Sequence, residues 1–393
     1  MSDIKHCPPL KRIKLSPPTS PKHEPGVPAQ LSPDFASALF RTILRRRFQD
    51  VYKFLLSGSE HLRLFDNELK KYTMITTAGS EVIVAWDDDT KFTFNMAPGF
   101  PKLFHFLRCA ASNVQGIVVE NVVHGFHNMI TEAIVANPDN AKARSIIYYS
   151  KELYPLESLL KTKQAMDYLL VWADVLASIR RPPIGIVTDT LHLNCTYFAD
   201  FSHLLQSMHY RMRKLKVSFI NHAHMLDWND VQTFLFMYGP TQTFPAHPGI
   251  TSVSFSARVD IIHPAMHALL ESVVFMFPNI RRFTLNLRIY SENKVLVADY
   301  DPNSVLYQLR SIIHTMTEIV QLPYELVIRV VRVDQVVLKF EKGQPNITEE
   351  FKRIRNDLKN SLPFAPSDDD ICFRQKYMVG HYKKLDYSLT IVS

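Results

Sequence analysis

Pro278-Asn-Ile280-Arg-Arg-Phe283-Thr-Leu285 is the stretch that decides how this chain is read, because it recurs. Upstream stands Pro248-Gly-Ile250-Thr-Ser-Val253-Ser-Phe255, with the same proline and the same spacing of apolar residues. A looser copy is Met212-Arg-Lys-Leu215-Lys-Val217-Ser-Phe219, and a weaker one is Leu191-His-Leu193-Asn194-Cys195. Each phrase alternates apolar and polar residues, which is the pattern of a strand with one buried face. Each is followed by a stretch of helical periodicity. A strand–helix unit of this size cannot bury its own apolar face. It has to stack on its neighbours, and the expected result is a curved solenoid.

Outward from these phrases the alternation continues. Strand candidates begin near 116, 145, 188, 215, 251, 282 and 325. Helices are predicted at 101–111, 157–179, 200–213, 227–238, 263–276, 303–321 and 348–360. Two final strands, Phe373–Val379 and Leu385–Val392, are expected to cap the open end. Upstream, Glu81–Trp86 and Lys91–Met96 give a β-meander over 73–96, with Asp87-Asp88-Asp89 read as a turn.

Residues 1–34 hold eight of the 24 prolines and few large apolar side chains, so they are expected to be a disordered tail. Within it, Lys11, Arg12 and Lys14 have the form of a short nuclear import signal. Residues 35–72 read as a helical module. Phe35, Leu39, Phe40, Ile43 and Leu44 share one face, and Phe48, Val51, Tyr52, Leu55 and Leu56 extend it. Ser57 and Glu60 have capping-box spacing for a second helix carrying Leu62, Phe65 and Leu69. The remaining divisions are a mixed region at 73–184 and a strand–helix region at 185–393.

The chain has 393 residues, 46% of them hydrophobic and 21% charged, which is a globular composition. Eleven glycines are few for phosphate-cradling loops. The net charge of +7 lies in clusters: Arg41 with Arg45–Arg47, then Arg211, Arg213, Lys214 and Lys216, then Arg281–Arg282. Gathered on one face they would be a nucleic-acid footprint; the plainer reading is solvated helix ends. Cys7, Cys109, Cys195 and Cys372 form no C-x-x-C pair. No secretory leader or membrane-spanning apolar run is read, so the expected location is intracellular, in nucleus or cytoplasm.

The phrases at 212–221, 248–255 and 278–287 resemble degenerate leucine-rich repeats, L-x-x-L-x-L. They depart from that family in having longer, irregular repeats and no asparagine at a fixed offset. Asn194 and Asn221 are read as polar strand ends. The whole layout resembles the divergent F-box proteins abundant in nematodes. That resemblance implies that residues 35–72 bind the adaptor subunit of a cullin ubiquitin ligase through Phe35, Leu39, Phe40, Ile43 and Leu44, while the strand–helix region selects a target. The usual Leu-Pro opening is absent; Ser32-Pro33-Asp34-Phe35 stands nearest to it.

Sixteen histidines invite a search for chemistry. His263 and His267 stand one helical turn apart, but no carboxylate accompanies them. His124 with His127, and His222 with His224, also lack acidic or thiol neighbours in sequence. All are read as surface or half-buried side chains. There is no Gly-x-Ser-x-Gly elbow, Walker loop, dinucleotide fingerprint or kinase signature. The expectation is therefore an α/β protein with an N-terminal helical module, a β-meander and an irregular leucine-rich-repeat-like solenoid. It is expected to be non-enzymatic, without metal or cofactor, and to bind protein partners, with no membrane role. A nuclear nucleic-acid-associated factor is the alternative, and an enzyme whose residues converge only in space is the third reading.

Overall fold

The computed structural model describes residues 59–70, 73–79, 81–85, 91–95, 114–120, 144–162, 165–179, 187–207, 211–220, 226–237, 245–259, 265–296, 302–318, 322–339, 365–366, 372–379 and 382–392, with isolated helical positions at 38, 42, 110, 349, 352, 353 and 356. The tail, the import-signal residues Lys11, Arg12 and Lys14, and the face of Phe35, Leu39, Phe40, Ile43 and Leu44 lie outside these residues. So do Asp87–Asp89, Asn221 and most of the helices expected at 101–111 and 348–360.

The repeated phrase is a structural repeat. Strands β7 (Val187–Cys195), β8 (Arg211–Phe219), β9 (Ser252–Val259) and β10 (Arg282–Leu296) pair in parallel, each beside the next in sequence. Register follows the phrase. Leu191, Leu215, Val253 and Phe283 stand opposite one another, and Leu193, Val217, Phe255 and Leu285 form the next row. All eight are buried, as are Ile250 and Ile280. The prolines sit in turns just ahead of the strands. There Asn279 Nδ2 donates to the Pro248 carbonyl at 2.9 Å, tying one turn to the next.

Parallel neighbours require a crossover. Helices α4 (Phe198–Ser207), α5 (Trp228–Met237), α6 (Ala265–Met276) and α7 (Pro302–Glu318) lie in successive connections from β7 to β11 (Glu325–Lys339). The core is continuous along this face of the sheet. Phe201 meets Phe255 edge to face at 5.3 Å, Phe255 meets Phe283 at 5.3 Å, and Phe283 meets Tyr324 at 6.1 Å. Tyr324 then donates its hydroxyl to the Leu270 carbonyl of α6 at 2.5 Å. Aromatic pairs at such separations add to the area they bury.

The sheet extends both ways. β1 (Met74–Ala78), β2 (Glu81–Ala85) and β3 (Lys91–Asn95) form the expected meander, with Gly79 at φ +57° in the first turn. β4 (Gly116–Val119) pairs in parallel with β1 and with β5 (Ser145–Tyr148). At Gly116 an added Cβ would lie 2.2 Å from the Met74 sulfur, so any other residue there would have to displace that flexible side chain. α1 (Ser59–Leu69) precedes the meander and buries Leu69. At the other end β14 (Lys383–Val392) lies parallel beside β11, and β13 (Cys372–Val379) and β12 (Ala365–Pro366) continue outward in antiparallel order. The whole is one open α/β sheet of 14 strands, in the order β12-β13-β14-β11-β10-β9-β8-β7-β6-β5-β4-β1-β2-β3.

One expectation is corrected. The helix predicted at 157–179 is three elements: α2 (Leu153–Thr162), β6 (Ala165–Trp172) and α3 (Ala173–Ala177). β6 lies between β5 and β7, where Leu169 and Val171 face the core row and Leu170 is buried on the other face. Because Leu169-Leu170-Val171 is apolar on both faces, its sequence carries no period that separates strand from helix. The helix predicted at 200–213 likewise stops at Ser207, and β8 opens at Arg211.

Candidate functional site on the free face of the sheet

Strand alternation fixes what the opposite face presents. Between the buried positions of β8 stand Lys214, Lys216 and Ser218. β9 contributes Ser252, Ser254, Ser256 and Arg258, and β10 contributes Arg282, Thr284, Asn286, Arg288 and Tyr290. Those of β11 are Glu325, Val327, Arg329, Val331 and Val333. Register sets them in rows: Lys216 beside Ser254 and Thr284, then Ser218 beside Ser256, Asn286 and Arg329. Lys216, Arg288, Tyr290, Arg329 and Val331 are exposed. The face is thus polar and basic over β8 to β10 and carries valines on β11, Val327 among them buried, whereas the helix-covered face is mainly apolar.

Its side chains are ordered by one another. Asn286 Nδ2 lies 3.2 Å from Ser256 Oγ and 3.4 Å from Ser254 Oγ. The Arg258 guanidinium lies 5.3 Å over the Tyr290 ring, and Tyr290 donates its hydroxyl to Gln335 at 2.8 Å. An arginine stacked on tyrosine is held planar and half desolvated. Arg282 approaches Glu325 at 3.8 Å, and Lys384 binds Asp386 at 2.8 Å. Lys216, Arg288 and Arg329 have no carboxylate partner among the described residues.

Further along the same face a hydrogen-bonded chain crosses three strands. Tyr168 Oη of β6 lies 2.6 Å from His192 Nδ1 of β7, and His192 Nε2 lies 2.8 Å from Ser218 Oγ of β8. The spacing is that of a base between a nucleophile and an orienting group. However, burial, with the Lys216 ammonium adding to it, pushes the His192 pKa down to about 4. An imidazole of that pKa is a weak base at neutral pH, and the two hydrogen bonds brace β6, β7 and β8 across the sheet. Burial also raises the Tyr168 pKa, which keeps the phenol protonated.

This brace carries a pH signature. An unfolded histidine protonates near pH 6.5, whereas His192 in the fold stays neutral to about pH 4. Its contribution is therefore complete above the unfolded value and is lost as pH falls through that window. The expected loss from this group is on the order of 2–3 kcal/mol. His247, whose pKa burial also lowers, acts in the same direction. Denaturant titrations of wild type and His192→Gln from pH 7 to pH 4 isolate the first group. The variant should show a clearly shallower decline; matching profiles would contradict the burial of His192.

Asn194, expected as a polar strand end, is 1% exposed, and neither amide atom finds a hydrogen-bond partner. Cys195 beside it faces the core, where burial raises the thiol pKa and keeps it unreactive.

Of the basic clusters, Arg41 and Arg45–Arg47 lie outside the described residues, and the cluster at 211–216 is divided by the fold. Lys214 and Lys216 reach the free face. Arg211 and Arg213 lie at the strand starts, on a cavity of about 960 Å³ lined also by Arg144, Asp167, Asp189 and His247. Asp189 is held below the usual carboxylate range by hydrogen bonds from Lys214, at 3.0 Å, and Arg213. Asp167 faces Arg144 at 4.0 Å. Ligands of parallel sheets gather at the carboxyl ends of the strands. This cavity lies at the amino ends, and its acids are already matched to cations.

Of the histidine pairs, His267 is half-buried on α6; His263, His124, His127, His222 and His224 lie outside the described residues. Among the described residues no cluster of three or more His, Cys, Asp or Glu is arranged to hold a metal, and no helix is long and apolar enough to cross a membrane.

No family model, curated protein or solved structure matches this chain.

Proposed function

We propose that this protein is a non-enzymatic target-binding protein. In this reading the strand–helix units form an irregular solenoid that presents its free sheet face to a protein partner. One observation carries the reading. The face opposite the helices sets exposed arginines, a lysine, a tyrosine and a valine in register on hydrogen-bonded strands, around half-buried serines and one threonine. Tyrosine and arginine are the residues that most often anchor protein interfaces. Here their backbones are fixed by the sheet, so little ordering entropy is lost on binding.

The test is photo-crosslinking in cells. A benzoylphenylalanine at Tyr290, on the free face, should give a discrete protein adduct. The same group at Tyr307 of α7, which is 76% exposed, should give none. Equal labelling at both positions, or no adduct at Tyr290, would overturn the reading. Adducts to nucleic acid alone would support the alternative of a nucleic-acid-associated factor.

A further inference from the structure

We infer that the partner surface of this face is an acidic peptide segment in extended form, held across Lys216, Arg329 and Arg288. The inference rests on the proposed binding role and specifies its chemistry. These three cations have no carboxylate partner among the described residues, and all three are exposed. Their places follow from register. Lys216 stands in the row of Thr284, Arg329 in the next row beside Asn286, and Arg288 in the row beyond. With strands about 4.8 Å apart and about 3.3 Å per residue, the three span roughly 16 Å at the backbone. An extended peptide covers that in about five residues.

The ground between the cations suits carboxylates. Ser218, Ser254, Ser256 and Thr284 supply hydroxyl donors, and Arg258 stacked on Tyr290 adds a planar cation over an aromatic anchor. A phosphate backbone suits the face less well. Glu292, Glu325 and Asp386 share it, and Val331 is 39% exposed beside Arg288. A nucleic-acid strand, charged at every residue, would meet these carboxylates. A peptide can place acids over the cations and apolar side chains over the valine.

The probe is a fluorescein-labelled peptide of glutamate interspersed with leucine, titrated by anisotropy against the full chain. A labelled single-stranded oligonucleotide and a lysine-for-glutamate peptide are measured beside it. Wild type should bind the glutamate peptide at low salt and neither control comparably. The triple variant Lys216→Glu, Arg288→Glu and Arg329→Glu should weaken it by more than about tenfold. Because all three side chains are exposed, the far-ultraviolet spectrum should not change. The milder Lys216→Gln, Arg288→Gln, Arg329→Gln variant should fall between. Undiminished binding by both variants, no binding of the glutamate peptide by wild type, or tighter binding of the oligonucleotide would overturn the inference. The binding role itself is judged separately, by the Tyr290 crosslink. An adduct that persists in the triple variant would sink the acidic partner and leave the role standing, whereas no adduct in wild type would sink the role.

Discussion

Replacing Phe283 by alanine should lower the free energy of unfolding by about 3–5 kcal/mol. Phe283 is fully buried at the centre of the ring series that runs from Phe201 through Phe255 to Tyr324. Its removal deletes the transfer energy of the ring and leaves a void that neighbours on β9, β10 and α6 cannot close, because strand register holds them apart. Denaturant melts at fixed pH read the loss directly. A change below about 1 kcal/mol would mean that the core row is misaligned. Phe283→Leu should recover a substantial part, since it refills most of the volume.

A comparable loss, of about 3–5 kcal/mol, is expected from Asp334→Ala, for an electrostatic reason. Arg332 and Asp334 both point to the helix-covered face of β11 and are 7% and 3% exposed. Arg332 Nε donates to Asp334 Oδ2 at 2.8 Å, and its Nη2 donates to Gln308 Oε1 of α7. Removing the carboxylate leaves a guanidinium in the core with only an amide oxygen to offset its desolvation. The paired change Arg332→Met with Asp334→Leu should cost far less, because it removes both charges and returns apolar volume. Melts of wild type, the single variant and the double variant decide the point. A single variant as stable as the double would show that the pair is hydrated rather than buried.

How much of this was legible in the sequence depended on period. The phrases at 212, 248 and 278 alternate cleanly, and their sequence alignment is the register of the sheet. Where alternation fails, so does the reading. Leu169-Leu170-Val171 is apolar and buried on both sides of β6, and it reads equally well as helix. Arg332 and Asp334 would be assigned to solvent by charge alone. Alternation from Ile328 and Val330 puts them inside, and that was the available signal. The functional face was half visible. The basic cluster at 211–216 was seen as a unit, yet only the parity of Leu215 and Val217 tells Lys216 from Arg213. The Tyr168–His192–Ser218 chain joins residues from three strands, one of them unrecognised, and no linear motif marks it. The helical module and import signal read from residues 1–72 concern mostly positions outside the described structure.

The strand order at one end has a consequence for how the protein is made. β12 and β13 precede β14 in the chain but lie outside it in the sheet. As the polypeptide lengthens from its amino end, each unit from β4 to β11 can settle on a neighbour already in place. β13 cannot, since the strand it must pair with has not yet been synthesised. Until Lys383–Val392 emerges and seats against β11, that edge offers open backbone donors and acceptors to any other strand nearby. Assembly is thus progressive along most of the array and deferred at this margin, where a delayed nascent chain is most exposed to mispairing with another copy.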